Sequence, residues 1–241
     1  MGNSSSGGSV QEHLDHARRS GVCSLQNMSL KALPPSLLQL SNIRSLDISG
    51  NQISELRGDI ASLPALKSLT ATGNRLERLP EELGTLVKLE TLSLASNRIM
   101  SVPVSLSNLA HLKTLVLSGN QLTGFPVSVL GCKQLQVLDL ADNRITALPD
   151  DMQQLQAVEL ILNRNQVAAL PESLAQCRRL KVLRLEENCL QLDGIPAAIL
   201  AVSNVSTLAL EGNPFNLKEL EYRPGYNKYA ERVTATRKKR D

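Results

Sequence analysis

Residues 89–99 read LETLSLASNRI, and residues 112–122 show the same arrangement as LKTLVLSGNQL. Both segments fit the frame L-x-x-L-x-L-x-x-N-x-L, in which aliphatic residues stand at fixed distances from one asparagine. Six further segments fit it, and the asparagine returns every 22 to 25 residues. Eight matches in one register indicate a tandem repeat. The repeated asparagines are Asn51, Asn74, Asn97, Asn120, Asn143, Asn165, Asn188 and Asn213.

Each copy of the frame predicts a short β-strand that turns alternate leucines inward and pairs in parallel with the next strand at about 4.8 Å. The asparagine carboxamide has both donors and an acceptor. We therefore expect it to satisfy backbone groups where the chain leaves each strand, so that the asparagines form a ladder along the stack. A degenerate copy, with Cys23, Leu25 and Leu30 in frame and Met28 in place of asparagine, comes first. The repeat region is thus about nine repeats over residues 22–216.

The second half of each repeat reads L-P-x-x-L-x-x-L, as in Leu79, Pro80, Leu83 and Leu86. Proline fixes φ at the start of a helical turn, where its missing N–H is not needed. The pattern predicts an α/β solenoid with a curved parallel sheet on its concave face and 3-10 or short helical turns on its convex face.

Both ends of the repeat region show helical signals. Ser9 and Glu12 form a capping-box pattern and Gly21 is a suitable C-terminal stop, which predicts an N-terminal capping helix over residues 9–21. We predict a C-terminal cap over residues 217–236. The aromatic and aliphatic residues expected to cover the last repeat are Tyr222, Tyr226, Tyr229 and Val233.

With these return halves, the chain resembles the intracellular leucine-rich-repeat family with Ras-suppressor-like repeats over residues 22–216. The segments Met1–Ser4, Leu183–Leu190, Gly225–Tyr229 and Thr234–Lys239 resemble small members of this family. The resemblance implies an N-myristoylated, membrane-associated repeat protein without enzymatic activity.

The composition argues against several classes of function. The net charge of +3 arises from 26 basic and 23 acidic residues, and we expect its excess in the tail over residues 237–241. A near-neutral body without a basic stripe argues against nucleic acid binding. No nucleophile–base pair, phosphate loop or metal cluster stands out, so we expect neither an enzyme nor a cofactor or metal.

The predicted location is the cytoplasm. The four cysteines are scattered and form no C-x-x-C pair, which is typical of reduced thiols. No apolar run approaches the roughly 20 residues that span a bilayer, and the first residues do not resemble a secretory signal.

The first residues, Met1-Gly2-Asn3-Ser4-Ser5-Ser6, match the acceptor pattern for N-myristoylation at Gly2. An acylated, flexible segment 1–8 would make the protein a peripheral membrane protein. One myristoyl chain binds a membrane only marginally, so a second contact is needed. The candidate is the basic run Arg237 to Arg240 at an anionic leaflet. The alternative is an ordinary flexible start and a solvated tail.

The outward strand positions predict the partner site. They are small and polar in the first half of the repeats, whereas Val116, Val137, Ile161 and Val182 suggest an exposed apolar patch with a charged border, as in protein interfaces. Alternatively, β-branched residues are simply good strand formers. The predicted partner-binding residues are Val116, Val137, Asp139, Glu159, Ile161, Val182, Arg184 and Glu186.

These observations predict a monomeric, non-enzymatic interaction module, an adaptor or scaffold held at a membrane that binds another protein through its concave face. The alternative is a regulatory subunit of a signalling enzyme such as a small GTPase or a phosphatase. The two differ in whether the partner's activity changes on binding.

Overall fold

The computed structural model describes residues 9–238, in which nine three-residue strands form one open, curved parallel sheet in sequence order. The predicted solenoid is confirmed. The strands β1 to β9 are Val22–Ser24, Ser45–Asp47, Ser68–Thr70, Thr91–Ser93, Thr114–Val116, Val137–Asp139, Glu159–Ile161, Val182–Arg184 and Thr207–Ala209.

Neighbouring strands pair position by position, so that Leu92 of β4 lies beside Leu69 of β3 and Leu115 of β5. These central leucines point into the core and are fully buried. The residues on either side of them point to the concave face and are half-buried. Residues at the same position of successive repeats therefore form continuous rows, in which neighbouring residues lie about 4.8 Å apart.

Short 3-10 turns line the opposite, convex side. Pro80 precedes one of them in an extended conformation, with φ −75° and ψ 150°, as its fixed ring geometry favours. In the eighth repeat, which has two extra residues, a short α-helix follows the turn. The turns are Leu37–Gln39, Gly58–Ser62, Glu81–Thr85, Val104–Asn108, Val127–Gly131, Met152–Gln154, Glu172–Gln176, Leu192–Gly194 and Leu217–Tyr222; the helices α1 to α3 are Val10–Ser20, Ala197–Ala201 and Tyr226–Arg237.

The core between the two sides is mainly aliphatic, and three cysteines replace leucines in it. Burial raises the pKa of the thiols of Cys23 and Cys132 to about 11 and that of Cys177 to about 12. Cys189 is exposed. The buried thiols are therefore protonated and act as small apolar side chains.

Helix α1 covers the first repeat. The Oγ of Ser9 accepts a hydrogen bond from the amide of Glu12 at 3.3 Å, and the Glu12 carboxylate accepts one from the amide of Ser9 at 2.8 Å. Gly21 ends the helix with φ 72°, and Leu14 and Ala17 are buried against the repeats. The capping box and glycine stop expected from the sequence are both present.

Helix α3 covers the last repeat. The hydroxyl of Tyr229 accepts a hydrogen bond from the amide of Leu208 in the edge strand at 3.1 Å. The Arg232 guanidinium donates to three backbone carbonyl oxygens of the eighth repeat and its loop, at 2.7 to 3.2 Å. The expectation that Tyr222 joins this contact was wrong. Its side chain is 88% exposed because it belongs to the preceding 3-10 turn and lies outside the helix.

Candidate functional site

The repeated asparagines hold the repeats together. The Oδ1 of Asn120 accepts a hydrogen bond from the Ile99 amide at 2.9 Å, and its Nδ2 donates to the carbonyls of Leu94 at 3.0 Å and Leu117 at 2.9 Å. The other seven asparagines make equivalent bonds. Each side chain thus joins its own repeat to the preceding one, which is a structural role.

In each repeat the residue directly before the ladder asparagine, or before Met28 in the first repeat, adopts a left-handed backbone conformation. The φ angles there lie between 52° and 77°. Glycine adopts this conformation without a Cβ clash, whereas other residues do so at a cost of about 1 kcal/mol. The residues at this position are Asn27, Gly50, Gly73, Ser96, Gly119, Asp142, Arg164, Glu187 and Gly212.

Three consecutive repeats place a charged residue at this left-handed position. The Nη2 of Arg164 donates to the Oδ2 of Asp142 at 2.8 Å, and its Nη1 lies 3.9 Å from the Oε1 of Glu187. The hydrogen bond from Arg164 lowers the pKa of the Asp142 carboxyl. All three side chains are more than 40% exposed, and ion pairs at such positions contribute about 0 to 1 kcal/mol. The charges therefore do not clearly offset the backbone strain.

Beside this row, the concave face of β5 to β9 alternates apolar and charged side chains. Along the first strand positions Glu159 lies between Val137 and Val182, and along the third positions Asp139 lies between Val116 and Ile161. The sequence predicted an apolar patch with a charged border. In the structure the aliphatic residues form a zigzag with charges inside it, because the register places Val116 beside Asp139 and not beside Val137.

Polar contacts order the charged side chains of this face. The Nε of Arg184 lies 3.0 Å from the Oε1 of Glu159. The backbone amide of Glu186 donates to the side-chain Oδ1 of Asn163 at 3.1 Å, and the side-chain Nδ2 of Asn163 donates to the Glu186 carboxylate.

The second half of the concave face is strongly negative. Its six carboxylates and two guanidinium groups leave a local charge of −4, and both guanidinium groups are already paired. In the first half the outward strand positions of β2 to β4 carry one charge, that of Asp47. The carboxylates are those of Asp139, Asp142, Glu159, Glu186, Glu187 and Glu211.

All eight residues predicted to bind a partner lie on this face. Seven occupy outward strand positions, and Glu186 follows two residues after β8. The left-handed conformation of the neighbouring charged row was not predicted from the sequence, because a charged residue does not indicate a positive φ as glycine does. The predicted lipidation site, Gly2, lies outside the described residues. Of the basic tail, Arg237 ends α3, Lys238 follows it, and the rest lies outside the description.

Within residues 9–238, no helix combines the length and hydropathy that a bilayer crossing requires. The same part of the chain contains no group of three or more histidine, cysteine or acidic side chains arranged to hold a metal ion.

Comparison with known families assigns the repeat. A family model described as leucine rich repeat matches residues 24–76, and one described as leucine rich repeats in two copies matches residues 87–127 and 110–151. The chain is a leucine-rich-repeat protein. Leucine-rich-repeat domains generally bind other proteins, and their fold is typically a non-enzymatic interaction scaffold.

Solved structures with the same fold include another leucine-rich-repeat protein. A leucine-rich-repeat protein of Leptospira interrogans is 27% identical with a TM-score of 0.74, over 87% of this chain and 59% of that one. A TDR receptor is 25% identical with a TM-score of 0.67, over 76% of this chain and 33% of that one. A plant ice-binding protein shares the fold at 23% identity and a TM-score of 0.66, over 79% of this chain and 64% of that one. This chain thus spans only part of the length of each.

Proposed function

We propose that this leucine-rich-repeat protein is a non-enzymatic adaptor or scaffold that binds a protein segment through the concave face of β5 to β9. The observation that carries the proposal is the row of Asp142, Arg164 and Glu187. Four other repeats use glycine at the same position, so the strain at these three is avoidable. Charged side chains held in strained conformations without a matching gain in stability are typical of functional surfaces.

The chemistry of the face supports one kind of partner. Four aliphatic side chains in a zigzag, interspersed with charged side chains in a region of local charge −4, fit a segment that presents aliphatic and cationic side chains next to each other. Five strands at about 4.8 Å give this surface a length of roughly 20 Å. Association should therefore weaken with salt, because exposed charges are screened at high ionic strength.

The proposal includes a location. A myristoyl group on Gly2 would hold the monomeric protein at a membrane on its cytoplasmic side, with the basic tail as an additional contact and no cofactor. A regulatory subunit of a small GTPase or phosphatase would use the same face and would differ in changing its partner's activity.

The test begins with a photo-crosslinking residue at Val137, compared with the same residue at Ser68 on the neutral half of the face. A partner captured from Val137 is then titrated against wild type and the variant Asp142→Gly/Arg164→Gly/Glu187→Gly. We expect a Kd at least tenfold higher for the variant and an unchanged thermal midpoint, because relief of strain offsets the greater freedom of glycine in the unfolded chain.

The matched control is Ser96→Gly, which relieves the same strain at a neutral position and should leave the Kd unchanged. An unchanged Kd for the triple variant, or equal crosslinking from Ser68, would contradict the proposed surface. An activity assay of the partner separates an adaptor from a regulatory subunit. Intact mass and fractionation of wild type and Gly2→Ala test the anchor separately.

A further inference from the structure

The amino-terminal edge of the sheet is a second extended surface. It consists of the segments that lead from each convex turn, or from α1, into the next strand. The Lys67 amide donates to the Arg44 carbonyl at 2.8 Å, the Glu90 amide to the Lys67 carbonyl at 2.7 Å, and the Lys113 amide to the Glu90 carbonyl at 2.8 Å. These bonds continue the ladder beyond the strands. The segments are 18–21, 41–44, 63–67, 86–90, 109–113, 132–136, 155–158, 177–181 and 202–206.

These segments carry ten basic residues and one acidic residue, Glu90, so this basic edge has a net charge of +9 in a chain whose total is +3. The sequence-based expectation of a body without a basic stripe was wrong. Consecutive basic residues of this edge are mostly about one repeat apart along the chain, and only the stacking of the repeats brings them together. They are Arg18, Arg19, Arg44, Lys67, Lys88, Lys113, Lys133, Arg178, Arg179 and Lys181.

Much of this charge lacks a counterion within the described structure. The Oε1 of Glu90 lies 3.3 Å from the Nζ of Lys67, and its Oε2 lies 2.6 Å from the Nζ of Lys113. The hydrogen bond from Lys113 contributes most to lowering the pKa of the Glu90 carboxyl. Between residues 9 and 238, Lys88 and Lys133 form no ion pair. The same holds for the exposed residues Arg178 and Lys181. Unpaired like charges in one row repel each other, and binding to an anionic surface would reduce this repulsion.

The geometry of the edge fits a flat surface. In-register pairing keeps the amino ends of all nine strands at one level, so the edge is a flank of the solenoid and the concave face stays open beside it. Exposed aliphatic side chains accompany the charges, with Val87 49% and Val202 73% exposed. The segments contain no Phe, Tyr or Trp on which a nucleic acid base could stack.

We propose that the basic edge docks on an anionic phospholipid leaflet. The charges attract acidic headgroups, and the two valines lie where the headgroups meet the acyl chains. This contact deepens the proposed membrane location but does not depend on acylation of Gly2 or on the concave face. It supplies the second contact that a single myristoyl chain requires.

The test uses the full chain without acylation, sedimented with vesicles of phosphatidylcholine with and without phosphatidylserine. We expect binding only when phosphatidylserine is present, and less binding at higher salt. The variant Lys133→Gln/Arg178→Gln/Lys181→Gln should lower the partition coefficient by roughly fivefold per charge, or about a hundredfold in total.

The matched control, Arg75→Gln/Arg98→Gln/Arg144→Gln, removes three exposed charges that directly follow ladder asparagines, beyond the carboxyl ends of the strands. It should bind vesicles within about twofold of wild type because those positions lie beyond one Debye length from the leaflet. Equal losses in both variants, no dependence on phosphatidylserine, or stronger binding to duplex nucleic acid than to vesicles would overturn the proposal. Thermal unfolding checks that both variants fold, and partner binding at the concave face should remain in both.

Discussion

Replacing Asn120 with alanine should destabilise the solenoid by about 3 to 5 kcal/mol. The side chain is 7% exposed in the middle of the ladder and makes three hydrogen bonds of 2.9 to 3.0 Å with the backbone groups of Ile99, Leu94 and Leu117. A buried backbone group left without its partner costs about 1 to 3 kcal/mol. Only the Ile99 amide loses its sole partner, because the two carbonyls keep hydrogen bonds of 3.0 Å from the neighbouring ladder asparagines. Each carbonyl then loses one net hydrogen bond of about 1 kcal/mol, and the sum gives the estimate.

The measurement is urea unfolding followed by circular dichroism, with the slope compared between variants to check cooperativity. The control is Gln121→Ala, the next residue, which is half-buried and whose side chain makes no hydrogen bond in the described structure. It should change the free energy of unfolding by less than about 0.5 kcal/mol.

A loss below about 1 kcal/mol for Asn120→Ala would refute the reasoning, because it would mean that water or a shifted backbone satisfies the freed groups. Equal losses in both variants would show that the effect belongs to the bend in general and not to the asparagine.

Three further predictions concern packing, the C-terminal cap and the thiols. Gly84→Ala should lower the free energy of unfolding by about 1 to 3 kcal/mol, since the new Cβ would lie 2.3 Å from a backbone oxygen of the next repeat, whereas Gly124→Ala, with nothing within 4 Å, should be nearly neutral. Tyr229→Phe leaves the edge-strand amide without its acceptor and should lower the thermal midpoint by an amount equivalent to about 1 kcal/mol or more; an unchanged midpoint would show that the bond is dispensable. At pH 8, iodoacetamide should modify only Cys189 in the folded protein and all four cysteines after unfolding, as read by intact mass, since burial raises the pKa of the other three.

The sequence alone determined the repeat, its strands, its convex turns and the N-terminal cap. These follow from local patterns, because alternating leucines define a strand, proline starts a turn, and Ser9 with Glu12 caps a helix. The residues of the proposed partner-binding face also followed from the alternation, since outward strand positions can be counted from any in-frame leucine. Aromatic spacing was less informative, and Tyr222 was misplaced because a turn interrupts the expected helix.

Only the tertiary structure decided which residues are neighbours across repeats. Val116 and Val137 are close in the pattern, yet the register places Asp139 beside Val116 and divides the apolar patch into a zigzag. The same stacking turns scattered lysines and arginines into a basic edge and places three charged residues in a strained row. The physical reason is that positions one repeat apart, independent along the chain, come within about 5 Å of each other once the strands pair.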